Sequence, residues 1–346
     1  MPSYMAREIA AQPEVLRRLF QSERESVEEI AAWIREFDPC FAFVVARGSS
    51  DNAALYGKYL FGAVNRLPVA LAAPSLFTLF HTPPDLSRAL VIAISQSGQS
   101  PDLLEVAQNA RAQGAVAVAV TNDPASPLAG MCQWVIPVHA GEERSVAATK
   151  SYTAQLMALA MLSASLAQRP DLMEDLKRLP EQVKLALQSE AEARAAAELI
   201  GAANRCVVIG RGFDLATAQE IALKLKELAA VAAEAYSAAD FMHGPLAMVE
   251  PGFPALMVAP GGVTFEEMSG LARRLSELGV EVAAISDRRE LLDSVAVPIP
   301  LRGSVKEWLH PFVTVVPGQL LALHLTLAKG LDPDRPRRLS KVTRTR

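Results

Sequence analysis

Residues 89–100 read Ala-Leu-Val-Ile-Ala-Ile-Ser-Gln-Ser-Gly-Gln-Ser, an apolar run that ends in hydroxyls and a glycine. An uncharged run of this kind suits a strand buried on both faces, and Gly98 lets the backbone turn tightly and approach a ligand. Ser100 is a good N-cap, Pro101 fits the first helical position, and Asp102 suits the positive end of the helix dipole. The N–H groups of such a helix end, with the hydroxyls of Ser95, Ser97 and Ser100, would surround a phosphate. The loop holds no lysine or arginine and no P-loop pattern, which favours a monoester over a polyphosphate. A turn held by capping serines is spelled the same way, and the segment alone does not separate the two.

A second set of chemical groups lies far along the chain. Glu220, Lys224 and Glu227 fall on one face of a helix whose other face carries Ile221, Leu225 and Leu228. For a lone pair at this spacing the plain reading is a surface salt bridge. The segment from Glu234 to Leu246 then places His243 before Gly244 and Pro245, in a loop, where an imidazole is more often functional than in a core. Glutamate, histidine and lysine beside a phosphate site form a kit for moving protons on a sugar phosphate. The carboxylate shuttles a proton between carbons, the imidazole opens the ring, and the ammonium steadies a developing oxyanion. This chemistry calls for no metal and no cofactor.

These groups need a scaffold, and the chain repeats itself to provide one. At an offset of about 164 residues, Phe43 to Gly48 with Asp51 matches Val207 to Gly212 with Asp214. Ala89–Ile94 matches Ala255–Pro260, the helix ending at Gly114 matches one ending at Gly279, and Asp123 matches Asp287. Short apolar strands alternating with longer helices predict an α/β fold with two repeated, doubly wound, flavodoxin-like parallel sheets. Ligands bind beyond the carboxyl ends of such strands, where the loops at Gly48, Ser95 and Gly212 fall. The second half has Pro260-Gly-Gly-Val-Thr-Phe265 in place of the serine loop, so phosphate binding is expected in the first half only. The expected organisation is leading helices over 1–40, a first domain over 41–168, a helical connection over 169–198 interrupted at Pro170 and Pro180, a second domain over 199–330, and a tail over 331–346.

Composition narrows the classes. With 346 residues and 51% hydrophobic content the chain can build two cores, and a net charge of −4 argues against nucleic acid as a partner. Positive charge gathers only at the end, in Arg335, Arg337, Arg338, Lys341, Arg344 and Arg346. Cys40, Cys132 and Cys206 stand apart, which predicts neither a disulfide frame nor a metal site and suits a reducing cytoplasm. The start of the chain lacks a signal-peptide pattern. The longest apolar stretch, around Leu156–Leu166, reads as a buried helix too short to span a membrane.

The stretches Ser95–Ser100, Ala147–Thr153, Ala222–Glu227, Ala233–Leu246 and Asp332–Lys341 together resemble the double sugar-isomerase (SIS) domain proteins. The likeness is to the isomerase half of glucosamine-6-phosphate synthase and to stand-alone glucosamine-6-phosphate deaminases. The resemblance implies that Ser95, Gln96, Ser97 and Ser100 hold the phosphate with Ser49 and Ser50. It implies that Glu227 is the base moving a proton between C1 and C2, with Lys224 beside the developing oxyanion. It implies that His243 opens the ring from a neighbouring subunit, hence a homodimer, and that Lys341 can form a Schiff base with the open-chain ketose from a tail folded over the site. Two departures shape the expected activity. The chain begins Met1-Pro2-Ser3 with its first cysteine at Cys40, unlike the glutaminase of the synthase, which favours deamination. Met242 precedes His243 where the synthase has lysine, and Ala148 replaces a serine. The expected reaction is glucosamine 6-phosphate to fructose 6-phosphate and ammonia. Alternatives are an isomerase-only relative, a deglycase acting on fructosamine 6-phosphate and, from another class, a non-catalytic phosphosugar sensor.

Overall fold

The computed structural model describes residues 2–341, so Arg344, Arg346 and the end of the expected 331–346 tail lie outside the described residues. Two helices lead, α1 (Tyr4–Ala10) and α2 (Gln12–Phe37). Then come β1 (Phe41–Val45), α3 (Ser49–Asn65), β2 (Val69–Leu71), α4 (Ser75–Thr78), β3 (Ala89–Ser95) and α5 (Pro101–Ala112). They are followed by β4 (Val116–Thr121), α6 (Pro127–Met131), β5 (Trp134–Pro137) and α7 (Lys150–Leu166). After α8 (Pro170–Ala186) and α9 (Glu190–Gly201) the pattern restarts with β6 (Arg205–Gly210), α10 (Asp214–Ala229), β7 (Ala232–Ser237) and α11 (Ala238–Met242). It ends with β8 (Pro254–Val258), α12 (Phe265–Glu277), β9 (Glu281–Ser286), α13 (Arg289–Leu292), β10 (Val297–Pro300) and α14 (His310–Ala328).

Both sheets have five strands, all parallel, in the orders β2-β1-β3-β4-β5 and β10-β9-β8-β6-β7. Renumbered within each half, the two orders are the same, 2-1-3-4-5, as the repeat requires. Every residue of β3, β4 and β8 is buried, because helices cover both faces and only uncharged side chains fit between them. The order reverses between β1 and β3 in the first sheet and between β6 and β8 in the second. At those points successive helices leave on opposite faces and open a crevice at the carboxyl ends of the strands.

The chain divides into two compact units. Among the described residues one holds 14–143, 150–180 and 340–341, and the other holds 2–13, 144–149 and 181–339. The division falls at Pro180, which the sequence marks as an interruption but which lies inside the continuous helix α8. A proline can be carried in this way because the helix gives up the single backbone bond that the imino nitrogen cannot donate. A second correction concerns apolar length. The more extended apolar helix is α14, which with the preceding turn makes a stretch of 22 residues, long and apolar enough by composition to cross a bilayer. It is 83% buried within the structure, the signature of a core helix.

Candidate active site

The serine loop leaves the carboxyl end of β3 as the sequence predicts, and its shape is set by close packing. Gly98 has φ +61°, and a Cβ there would stand 2.2 Å from Ser126 Oγ. Its carbonyl accepts the Leu128 N–H of α6 at 3.1 Å, so the turn is clasped from outside. Within the loop, Ser95 Oγ accepts the Gly98 N–H at 3.0 Å and Ser97 Oγ accepts the Gln99 N–H at 3.4 Å. Ser100 sits at the N-cap of α5, but its hydroxyl makes no capping bond; its carbonyl serves the helix instead. A turn held by capping serines therefore explains Ser95 and leaves the Ser100 hydroxyl for something else. Ser49 and Ser50 open α3 after the neighbouring strand β1, where Gly48 (φ 58°) caps without a side chain. Two helix N-termini thus start from the adjacent carboxyl ends of β1 and β3, a setting that favours an anion.

An arginine that the spacing alone did not mark joins this edge. Arg47 Nε lies 2.6 Å from Asp102 Oδ2 in the first turn of α5, and the Asp102 side chain is wholly buried. The second half builds the equivalent pair, Arg211 Nε to Glu267 Oε2 at 3.1 Å, in the first turn of α12. What differs is the loop between. Gly261 N donates to Asp287 Oδ1 at 2.6 Å, Val263 N faces Glu307 Oε2 at 3.4 Å, and the Glu307 carboxyl lies against Gly262. The donors that a phosphate would need in this half are taken by the chain's own carboxylates, whose charge repels an anion. The asymmetry expected from the hydroxyls has a physical counterpart.

On α10 the structure overturns the surface salt bridge. Lys224 is 1% exposed and Glu220 is 0% exposed, while Glu227 is 24% exposed. Lys224 Nζ lies 2.5 Å from Glu227 Oε2 and 3.5 Å from Glu220 Oε1. Packing of α10 against α14, β7 and β6 makes the difference, since helical spacing is the same for a solvated and a buried pair. A buried ammonium between two carboxylates pins Glu227 and leaves part of it at the surface, as a base requires. Glu220 is the member of this triad whose role the sequence left unassigned. Glu227 sits in the last turn of α10, away from the helix N-terminus that follows β6, so its carboxylate is not at the carboxyl edge of its own sheet.

His243 ends α11 as its C-cap and is exposed, its backbone N–H bonded to the Asp240 carbonyl at 3.1 Å. His243 and Gly244 form the turn expected there, between α11 and a short 3-10 helix at Pro245–Met248. Lys341 is anchored, with Nζ 2.7 Å from Oε2 of the buried Glu143. The same Glu143 accepts the Ser151 hydroxyl at 2.6 Å and its N–H at 3.1 Å, at the start of α7. Nothing in the sequence singled out Glu143. Among the described residues no group of three or more His, Cys, Asp or Glu side chains is placed to hold a metal ion.

Comparison with known proteins places this arrangement. The SIS domain pattern matches residues 41–165 and again 199–327. The isomerizing glutamine–fructose-6-phosphate aminotransferase of Thermococcus kodakarensis is 38% identical over 352 residues, taking in 98% of this chain and 58% of that one. The chain thus spans 58% of the length of that relative. The C-terminal domain of glucosamine-fructose-6-phosphate aminotransferase from Francisella tularensis superposes with a TM-score of 0.88 at 27% identity, over 97% of this chain and 99% of that one. Glucosamine-6-phosphate deaminase from Thermotoga maritima superposes with a TM-score of 0.78 over 99% of this chain and 100% of that one, but at 24% identity it shares the fold alone. Two matches in tandem, two sheets of one topology and whole-chain similarity to the aminotransferases lead to one conclusion: the chain belongs to the SIS domain family and is built from two of its domains.

Proposed function

We propose that the protein is a phosphosugar aldose–ketose isomerase and, more narrowly, that it converts glucosamine 6-phosphate and water to fructose 6-phosphate and ammonia. The observation that carries this reading is Glu227, a part-exposed carboxylate held at 2.5 Å by the buried Lys224 ammonium. That placement suits a base which must take a proton from carbon and return it without drifting. The serine loop, with Ser49, Ser50, Ser95, Gln96, Ser97 and Ser100, takes the phosphate through hydroxyls and helix N–H groups. His243 assists ring opening. Glu227 then removes the C2 proton of the open-chain aldehyde and delivers it to C1, leaving an imine at C2 and a hydroxymethyl group at C1. Lys224 steadies the charge that gathers on the C1 oxygen in between. Water adds to the imine carbon and ammonia departs. Lys341, tied to Glu143, supplies a cation for the open chain.

His243 is exposed, as are its neighbours Met242 and Met248, which supports its use in a partner subunit's site. The test is complementation. Purified Glu227→Gln and His243→Asn proteins, each assayed for ammonia release from glucosamine 6-phosphate, are expected to be inactive alone. Mixed after reversible dissociation, they should recover about a quarter of wild-type activity, because half the dimers are hybrids with one intact site of two. Full activity of Glu227→Gln would remove the base. Two inactive variants with no recovery on mixing would place His243 in the site of its own chain.

A further inference from the structure

Helices α10 and α14 run side by side in the same direction, and they meet at three points. At the front, the Thr314 hydroxyl lies 2.9 Å from Asp214 Oδ1 and His310 Nδ1 lies 3.6 Å from Asp214 Oδ2, with Thr217 Oγ1 3.0 Å from Thr314 Oγ1. All four residues are buried. In the middle, Gly318 admits the Ile221 side chain so closely that a Cβ on 318 would stand 2.3 Å from Ile221 Cγ1 and 2.4 Å from Cδ1. At the rear, Lys329 Nζ donates to the Ala229 carbonyl at 3.0 Å, two residues beyond Glu227. A polar clamp at each end and an interlocked centre fix a rigid helix against sliding, rolling and tilting.

We propose that α14 is the rail that aligns the proton-transfer helix, and that Asp214, His310 and Lys329 are its positioning residues. The proposal rests on the reading of Glu227 as the base. Asp214 lies thirteen residues from Glu227 along α10, roughly 20 Å at the helical rise, so the front clamp reaches that carboxylate only through the helix. Its effect is mechanical: a shift of about 1 Å at a reacting group can cost about a hundredfold in rate. Lys329 acts at the other end, satisfying a terminal carbonyl and placing a cation at the negative end of the helix dipole.

The front clamp also carries a proton. His310 is faced by Asp214 of α10, Asp287 after β9 and Glu307 before α14, with Arg302 lining the same small cavity. Burial opposes a charge on His310, but its contact with Asp214 and the carboxylates of Asp287 and Glu307 raise its pKa above the ordinary 6.5. Burial pushes the Asp214 carboxyl up as well, against the pull of His310 and Thr314. Both groups hold protons more tightly in the folded chain than in the unfolded one. The stability linked to His310 is therefore complete below 6.5 and is lost as pH rises through its higher folded value.

The experiment uses the full chain with Asp214→Asn, His310→Gln and Lys329→Met, and with Thr314→Ser and Glu227→Gln alongside. Ammonia release from glucosamine 6-phosphate and melting temperature are both followed from about pH 6 to about pH 9. The three positioning variants should lower kcat about tenfold with KM within about twofold, since they misplace the base and leave the phosphate loop alone. Wild-type melting temperature should fall as pH rises through the His310 transition, and Asp214→Asn and His310→Gln should flatten that fall. Thr314→Ser, which keeps the hydroxyl, should behave as wild type. The proposal is overturned if the variants melt earlier but keep wild-type kcat and pH profile, or if KM rises in step with the fall in kcat. An active Glu227→Gln would instead overturn the assignment of the base, whatever the other variants do.

Discussion

Replacing Gly98 with alanine tests the proposed phosphate loop at its tightest point. The new Cβ would stand 2.2 Å from Ser126 Oγ and 2.5 Å from Ser126 Cβ, on a backbone held at φ +61°. An alanine in the left-handed region costs about 1–2 kcal/mol, and forcing one extra carbon into a packed site costs about 1–3 kcal/mol. Holding the native loop shape therefore costs roughly 2–5 kcal/mol, and at about 1.4 kcal/mol per decade that is at least thirtyfold in binding. The loop cannot simply retreat, because the Gly98 carbonyl holds the Leu128 N–H at 3.1 Å. Calorimetric titration with inorganic phosphate, beside KM for the sugar phosphate, should show the loss, with kcat at saturation nearly unchanged. Adding Ser126→Gly removes the collision and keeps the strained φ, so it should recover the packing part of the loss and leave affinity about five- to thirtyfold below wild type. Ser126 caps α6 by accepting the Ala129 N–H, and glycine at a cap costs only a few tenths of a kcal/mol. Wild-type affinity in Gly98→Ala, or no recovery in the double variant, would refute the reasoning.

Other consequences are quick to check. Lys224→Met withdraws the ammonium from buried Glu220 and should cost about 3–5 kcal/mol in denaturant unfolding, whereas Glu227→Gln, at a part-exposed residue, should cost about 1 kcal/mol or less. Burial pushes the thiols of Cys132 and Cys206 up to about 12, the latter against the pull of Lys226, while Cys40 is exposed. A disulfide reagent at about pH 8 should therefore modify one thiol rapidly in the folded protein, and all three only after unfolding.

The fold was legible because its strands are buried on both faces, so β3, β4 and β8 read as short apolar runs at a repeating interval. The candidate site was legible in part. Ser95, Ser97 and Gly98 fall within four residues, and a glycine among hydroxyls after a strand signals a tight turn. Arg47 was not, because its partner Asp102 is 55 residues away and already has a local explanation in the helix dipole. The burial of Lys224 was not, since the i, i+3 and i, i+4 pattern is common to solvated and buried pairs, and what buries it is tertiary packing. Glu143 was hidden for a similar reason: its partner Lys341 lies 198 residues away.

The two halves show how a duplicated scaffold divides its work without changing its sheets. Both keep the Arg-Gly turn after the first strand, and both tie that arginine to an acid in the first turn of the helix that follows the third strand, Arg47 to Asp102 and Arg211 to Glu267. From there they part. The first turns of α3 and α10 both carry an acid, Asp51 and the buried Asp214, but α3 adds Ser49 and Ser50; between the third strand and its helix, the first half has a hydroxyl loop and the second a loop whose N–H groups meet Asp287 and Glu307. Hydroxyls leave donors for an incoming anion, while carboxylates consume the donors and add repulsion. The carboxyl edge of the second half thus disfavours an anion, and Asp287 and Glu307 act there on His310, which Asp214 ties to α10. Loss of the loop hydroxyls, with carboxylates from elsewhere in the half brought onto the loop's own N–H groups, separates a hydroxyl-lined edge from a clamp. It does so while the helix beyond the clamp carries Lys224 and Glu227.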